Sequence, residues 1–564
     1  MSKKVSHVEK IKEKSNYLRG TLEESLRDEI TGAIADDDTQ LIKFHGSYQQ
    51  ADRDLDSERK RQKLEPLYSF MIRVRAPGGI VTAEQWRRLD DLADEYGNSG
   101  LKLTTRQAVQ LHGILKKDLR PTIQGFNEVL MDSFAGCGDV NRNVMCNPNP
   151  YLSPIHEEVF ETAGKISDYF TPKTSSYHEI WLDGKKIKSI DVVDDEPIYG
   201  KTYLPRKFKI AIAIPPHNDV DIYANDIGII AIEKNGKLKG YNIAIGGGMG
   251  MTFGRPDTYP RLADDIGFVK PEKLIDVIGA IMMIQRDHGN REDRKLARMK
   301  YTIDKMGLNN FKKEIEKRVG FNFLPQEKYH FENNGDQYGW NKNLDGTHNI
   351  TLFVEGGRVK NTEQYKLKEA LRKIADVHPG DFRLTGNQNL MICRIPEKEK
   401  PIINGILAKY KVLPEQEKSG LRLNSIACVA LNTCTLAMAE SERYLPSLID
   451  KLDQVLIKNN LEKDEIIIRM TGCPNGCGRP YLGEIGFVGR AIGLYNLYLG
   501  ASFNGDRLNK LYKEMVDEKT ILETLEPIIA DYAKNRNKNE RFGDFVIRKE
   551  YVLATTHGTN FYDN

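Results

Sequence analysis

The strongest constraint on how this 564-residue chain folds is an internal duplication. The segment RAPGGIVTAEQWRRLDDLADEYGNSGLKLTTRQAVQL, Arg75 to Leu111, returns as FVEGGRVKNTEQYKLKEALRKIADVHPGDFRLTGNQNLMI, Phe353 to Ile392. Each copy carries Gly-Gly-x-Val, Glu-Gln-aromatic, an amphipathic stretch, Leu-Thr and a Gln. In the first copy Trp86, Leu89, Ala93 and Tyr96 fall on one helical face. Thr82 and Gln85 stand where a capping box would start that helix. The flanking runs SFMIRVR and VQLHGIL read as strands, so each copy predicts a small α+β unit. A weaker repeat follows each copy. KGYNIAIGGG around Tyr241 is matched by GLYNLYLGAS around Tyr495. Upstream, IAIPPHND is matched by RMTGCPNG, which sets Asn218 against Asn475 to within a few residues.

The order is therefore A–B–A′–B′, an α+β molecule with a pseudo-twofold axis and a central cavity between halves. The expected division is an N-terminal arm at 1–64, then A at 65–139 and B at 140–330. A linker with A′ at 331–415 and B′ at 416–564 complete it. The arm is polar and charge-rich, a poor core by itself. The Asn-, Gly- and Asp-rich stretch from Phe331 to His348 reads as the loop between halves. Arg106 in A is answered by Asn387 in A′, and the cysteine pairs of B′ have no counterparts in B. That asymmetry predicts a single active site built from both halves.

The chain-wide balance excludes several classes. Net charge is +3 against 83 basic and 80 acidic side chains, without the basic excess of a nucleic-acid protein. No apolar run of about 18 residues is present, so no membrane span is expected. The N-terminal MSKKVSHVEKIKEKSNYLRG lacks the apolar region of a secretory signal. A cytoplasmic location is expected, where seven cysteines act as thiols or metal ligands rather than disulfides.

Four cysteines form two pairs, with five residues between Cys428 and Cys434 and three between Cys473 and Cys477. Four thiolates suit a cubane cluster, one per iron. A structural zinc site is the rival, although its knuckles favour gaps of about two to four residues. The second pair sits in TGCPNGCG, where the glycines allow tight wrapping turns and Pro474 fixes one φ angle. Cys137, Cys146 and Cys393 read as buried small hydrophobes. GGGMG at Gly246 to Gly250 is not a dinucleotide fingerprint; it reads as a turn whose amides approach an acidic group. No Walker A loop and no flavin or nicotinamide fingerprint is present, so electrons would have to come from another protein.

The strings ACVALNTCTLAMAE and TGCPNGCGRP closely resemble the cluster motif of the siroheme sulfite and nitrite reductases. SNYLRG, HGSYQQADRD, LTTRQAVQLHGIL, NRNVMC and TYLPRKFK extend the resemblance over nearly the whole chain, toward the haemoprotein (β) components of assimilatory sulfite reductases. The resemblance implies ferredoxin-like half-domains for A and A′, and larger α/β siroheme and cluster domains for B and B′. It implies that Cys428, Cys434, Cys473 and Cys477 bind a [4Fe–4S] cluster, and that Cys477 also ligates the siroheme iron. It implies that Arg73, Arg142, Lys207 and Lys209 surround sulfite, that Arg106 and His112 meet siroheme carboxylates, and that Asn475 lines the cluster and haem edge. Arg75, two residues beyond Arg73, competes with it for the same face.

The chemistry fits those residue types. Arginine forks bind carboxylates, and a buried lysine titrates near neutrality and can deliver protons. The implied reaction is six-electron reduction of sulfite, with nitrite reduction as the alternative activity. A non-catalytic zinc scaffold is the alternative of another class. RAPGGIVTAEQW resembles the NADPH-dependent type, which takes electrons from an FAD/FMN flavoprotein. LIKFHGSYQQ and LTTRQ also occur in ferredoxin-dependent relatives.

Overall fold

The computed structural model describes residues 5–177, 181–182, 185–186, 195–412, 414 and 417–563. The duplication is visible as two pairs of sheets. In the first half-domain the strand order is Ser47–Ala51, Tyr68–Val74, Val109–Ile114, Leu101–Leu103 and Arg358–Val359. In the second it is Gly339–Lys342, His348–Leu352, Leu390–Ile395, Asp381–Leu384 and Ile80–Thr82. The last strand of each sheet comes from the other half. Arg358–Val359 pairs with Leu101 and Lys102, and Ile80–Thr82 pairs with Asp381–Arg383.

The repeated Gly-Gly makes this exchange possible. Gly79 has φ +81° and Gly357 has φ +67°, a region that side chains disfavour. A Cβ on Gly79 would stand 2.4 Å from the Leu384 carbonyl oxygen, and one on Gly357 would stand 2.4 Å from that of Leu103. Each glycine thus lets its chain leave one sheet and press against the other.

The repeat helices, Ala83–Glu95 and Leu367–Val377, pack on one another across the pseudo-twofold axis. Thr82 and Gln85 form the expected capping box. Trp86, Leu89 and Ala93 are buried, and the Trp86 ring stacks on Phe382 at 5.0 Å. Lys368 Nζ reaches Asp94 at 2.6 Å and Asp90 at 3.2 Å. The two half-domains therefore share one hydrophobic core.

The B sheet runs Asp264–Val269, Lys237–Ile245, Ile227–Lys234, Ile210–Ala213; the B′ sheet runs Ser425–Ala427, Ile468–Thr471, Ile485–Ala491, Leu494–Leu499, Lys510–Val516. Ile210 is in register with Ile227 and Ile468 with Ile485. Short helical turns follow left-handed residues at matching places, Asp221 with φ 45° and Arg479 with φ 53°. This register moves the repeat alignment by one residue. Asn475 corresponds to His217 rather than Asn218, and Cys477 corresponds to Asp219.

The arm is more than an extension. Ser47–Ala51 is the edge strand of the first sheet, and Ile11, Leu18, Leu41 and Phe44 join the core of B. Its apolar residues are too few for a core of their own but fill the surface of one already formed. Among the described residues no helix is long and apolar enough to cross a membrane.

Candidate functional site

The pseudo-twofold axis brings A, B and B′ together around Cys477. It lies between the buried Gly476 and Gly478, yet is itself exposed. The loop is braced from two sides. Thr105 Oγ1 donates to the Cys477 carbonyl at 3.0 Å, and Met251 N–H donates to the Pro474 carbonyl at 3.0 Å. Gly250 and Gly476 approach Asn475 and Met249 closely enough that a Cβ would stand 3.3 and 3.1 Å from their carbonyl oxygens. The GGGMG turn thus buttresses the cysteine loop, a use the sequence reading did not assign to it.

The other three cysteines gather behind Cys477. Gly472 N–H donates to Cys428 Sγ at 3.3 Å, and Asn475 Nδ2 to Cys473 Sγ at 3.5 Å. Burial, followed by repulsion from Cys477, pushes the Cys473 thiol up to about 12 and raises Cys428 and Cys434 as well. Four crowded thiols of this kind favour a bound metal that takes them as thiolates. Among the described residues, no three His, Cys, Asp or Glu side chains converge closely enough to hold one ion.

The face opposite the cysteines is cationic. Phe208 is buried in extended chain beside Asn141, so Lys207 and Lys209 emerge on the other side together. Both interact electrostatically with Cys477. Burial, then crowding by Arg206, Arg298 and Arg142, lowers Lys207 to about 7. Burial and the adjacent Lys207 hold Lys209 well below its ordinary value. Arg142 Nε donates to the Gly138 carbonyl at 2.8 Å. Arg73 donates to the Gly136 carbonyl at 3.2 Å and to Cys137 Sγ at 2.9 Å, and also interacts with Cys477. Arg75 is turned away and spent on Asp132 at 3.0 Å and Thr171 at 2.5 Å. Of the two, Arg73 is the one that interacts with Cys477.

Two of the residues expected at siroheme, His112 and Arg106, have partners within the protein. His112 is buried, with both ring nitrogens facing side-chain amides. Its Nδ1 lies 3.2 Å from Gln50 Oε1, and its Nε2 accepts from the Gln110 amide at 3.2 Å. The Gln110 oxygen then accepts from Arg73 Nε at 3.0 Å. Burial lowers His112 to about 3, so it is neutral and positions Arg73 through Gln110. Arg106 is mostly occupied as well. It donates to the carbonyls of Asn143 at 2.8 and 3.1 Å and Ile210 at 2.7 Å, and to Asn225 Oδ1 at 2.8 Å. One Nη1 hydrogen is left for a ligand. Cys137, Tyr48, Arg298 and Arg479 belong to this neighbourhood too. Tyr48 and Cys137 lie in HGSYQQ and just before NRNVMC, and only the fold brings them together.

A polyanion fits here. Arg106 is lowered to about 9 and Arg479 to about 10, with burial the largest cause and the neighbouring charges following it. Arg479 pairs with Asp221 and Arg298 with Asp226, but Arg106, Arg142, Lys207 and Lys209 have no carboxylate ion pair among the described residues, and buried cations of that kind are costly without an anionic ligand. The exposed Cys477 would be free to hold the siroheme iron, and Cys428, Cys434 and Cys473 would join it in holding a cluster.

The related position in the other half lacks these features. Thr351, Met391, Asn387, Ile467 and Asp219 take the places of Arg73, Gln110, Arg106, Lys209 and Cys477. Linker residues 334–338 run through it, with Asp336 accepting from Thr385 Oγ1 at 2.7 Å, Asn389 Nδ2 at 2.7 Å and Asn387 Nδ2 at 3.0 Å. What remains is a cavity of about 30 Å³ between Asp219, Asp336 and Thr351. Acids and neutral groups thus stand in this half where the other half has cations.

Comparison with known proteins agrees. Residues 62–129 and 341–410 match the nitrite/sulfite reductase ferredoxin-like half domain, and residues 161–323 match the nitrite and sulphite reductase 4Fe-4S domain. The latter match falls on B, whereas the paired cysteines stand in B′. A protein of Anoxybacillus flavithermus named sulfite reductase [NADPH] hemoprotein beta-component is 57% identical over 99% of this chain and 98% of its own. One of the same name from Staphylococcus saprophyticus is 55% identical over 100% and 98%. The structure of the Mycobacterium tuberculosis NirA protein, 22% identical, shares the fold with TM-score 0.78 over 97% of each chain. With relatives of this identity spanning both chains almost end to end, the chain belongs to the nitrite and sulfite reductase family.

Proposed function

We propose that this chain is the haemoprotein component of a sulfite reductase, reducing sulfite to sulfide with siroheme joined through Cys477 to a [4Fe–4S] cluster. The observation that carries this reading is one recess in which Arg73, Arg142, Lys207 and Lys209 gather around Cys477. Sulfite takes up six electrons and seven protons to give hydrosulfide and three waters. When bound, siroheme supplies an iron for the substrate sulfur and a path for electrons from the cluster. The protein's part is charge and protons. Arg73 and Arg142 hold fixed positive charge toward the sulfite oxygens, with Arg73 aimed by Gln110. Lys207, lowered to about 7 by burial, releases and regains protons near neutral pH, beside a Lys209 that burial and Lys207 hold well below its ordinary value. Cys428, Cys434, Cys473 and Cys477 hold the cluster, with Asn475 donating to one thiolate. Arg106 keeps one donor for a siroheme carboxylate.

The relatives' names, each a beta-component of an NADPH enzyme, support a separate FAD/FMN flavoprotein as donor, with ferredoxin as the alternative. The location proposed is cytoplasmic. The units proposed remain the arm at 1–64, A at 65–139, B at 140–330, linker with A′ at 331–415 and B′ at 416–564, with edge strands exchanged.

The test is turnover of the purified chain. It should show siroheme absorption and reduce sulfite with reduced methyl viologen but not with NADPH alone. Cys477→Ser should abolish the magnetic coupling of siroheme to cluster in Mössbauer spectra. A colourless protein, or a coupled spectrum in Cys477→Ser, would overturn the assignment.

A further inference from the structure

The half of the molecule opposite the catalytic recess carries buried polar atoms that the recess does not use. Asp219 comes from B, Thr351 from the strand His348–Leu352 of A′, and Asp336 from the linker. All three line the cavity of about 30 Å³. Asp219 is 5% exposed and Thr351 0%. Asp219 Oδ2 accepts from Asn147 Nδ2 at 2.8 Å. Its Oδ1 has no hydrogen-bond partner among the described residues, and neither has Thr351 Oγ1. Buried oxygens are ordinarily paired, with protein, water or an ion.

The charge of the cavity is unbalanced. Two aspartates line it, and no lysine or arginine does. Arg479, whose charge reaches Asp336, is paired with Asp221, and Arg469 donates to the same carboxylate at 2.6 Å. His217, the remaining titratable side chain of the lining, accepts from Gln337 Nε2 at 3.0 Å, and its other ring nitrogen lies 3.2 Å from Asn333 Oδ1. Burial, then Asp336, raises Asp219 to about 8, and burial raises Asp336 as well. Carboxylates desolvated in one cavity either keep a proton or take a cation. Two carboxylates, a hydroxyl and side-chain amides are the oxygen set of a hard cation. A cavity able to admit a water has room for such an ion.

We propose that the cavity between Asp219, Asp336 and Thr351 binds one small hard cation through oxygen ligands. The ion balances the two carboxylates, occupies the free Asp219 and Thr351 oxygens, and joins B, A′ and the linker at one point. The duplication thereby carries opposite ligands in its two halves. Where Cys477 and Arg73 stand in a recess of cations suited to anions, Asp219 and Thr351 stand in a cavity of acids suited to a cation. This site is separate from the redox chemistry of the other half and does not depend on it.

The experiment uses the cofactor-loaded chain, freed of loosely held metal with a chelator, and two variants, Asp219→Asn and Thr351→Val. Calcium is the first probe, because it tolerates irregular oxygen sets that magnesium does not. Its binding is read by calorimetry. Tm is read in calcium, magnesium, sodium and potassium chlorides at matched ionic strength, with choline chloride as the blank. The parent should gain in Tm as the concentration of at least one of these ions rises, and the ion that raises it most identifies the occupant. Both variants should bind that ion at least about tenfold more weakly and lose the gain in Tm. In choline chloride near pH 8 Asp219→Asn should melt above the parent, and the ion should narrow that gap. Thr351→Val changes no charge, so it separates ligation from the removal of a buried carboxylate. Siroheme absorption and viologen-driven turnover should stay at the parent's level in both variants, because neither residue belongs to the recess. A parent Tm that none of the ions moves overturns the proposal and leaves the cavity to water. A response that either variant keeps also overturns it, since the ion then sits elsewhere. Should Asp219→Asn fail to fold, Thr351→Val decides by the same readings. A colourless parent would refute the sulfite reductase reading, and its Tm in the same salts would still judge the cation site.

Discussion

Lys207 offers the cleanest separation of stability from function. Its ammonium has no hydrogen-bond or ion-pair partner among the described residues, so Lys207→Met removes charge without breaking an internal bond. Burial and the nearby Arg206, Arg298 and Arg142 lower it from 10.5 to about 7. At about 1.4 kcal/mol per pH unit, holding it charged in the folded, cofactor-free chain costs at most roughly 5 kcal/mol. Water reaching the partly exposed side chain reduces that figure. Because the folded value lies below the unfolded one, the cost is complete below about pH 7. It fades as pH rises toward 10.5, where the unfolded chain also loses the proton. Lys207→Met should therefore stabilise the cofactor-free chain against urea at pH 6, and its advantage should shrink by pH 9. In the loaded enzyme the same change should damage catalysis. A charge-assisted hydrogen bond in a desolvated site contributes about 1.5–3 kcal/mol, or roughly ten- to a hundredfold in rate. Sulfite, partly dianionic near neutrality and bearing more oxygens, should lose more than nitrite when both are assayed from viologen. Equal losses would mean that Lys207 serves only to hold siroheme. An unfolding midpoint unmoved at pH 6 would mean that the lysine is not held among the cations at all.

Three further outcomes follow from the same geometry. Gln110→Leu should raise the sulfite KM about tenfold by freeing Arg73, and a parental KM would show that Arg73 needs no such support. Gly79→Ala should cost more than about 2 kcal/mol in urea unfolding, because it combines a left-handed backbone with a 2.4 Å approach to the Leu384 carbonyl; a midpoint near the parent's would show that the strand exchange tolerates rearrangement. Asp219, raised to about 8 by burial and then by Asp336, weakens the fold as pH rises from 4 toward 8, so Asp219→Asn should gain in Tm over the parent between pH 5 and pH 8. A gap that stays constant over that range would show that Asp219 keeps an ordinary carboxylate pKa.

The sequence by itself determined the duplication, the four-cysteine motif and the cationic groups of NRNVMC and PRKFK. All of these are local: a helical face is spelled by Trp86, Leu89 and Ala93, a cap by Thr82 and Gln85, a four-cysteine motif by two short spacings. It also determined that the halves differ, since Arg106 and Asn387 stand at one place in the repeat. What only the tertiary structure decided are relations between distant segments. Strand alternation set Arg73 and Arg75 on one face, but Asp132, Ser167 and Thr171 draw Arg75 away, and nothing near Arg75 in the chain announces those partners. His112 between apolar residues is compatible with a ligand or a core position; the Gln50 and Gln110 amides, one from the arm, make it a buried link to Arg73. The Gly-Gly repeat announces a turn, whereas the exchange of strands between sheets follows from the close approach of Gly79 to Leu384 and Gly357 to Leu103. The arm looks solvated when read alone because its apolar residues are sparse, and it is ordered because the cores they complete are built by other segments of the chain. Periodicity and spacing report the bonding of neighbours in sequence; burial, ion pairing and pKa depend on neighbours in space, which only the folded chain supplies.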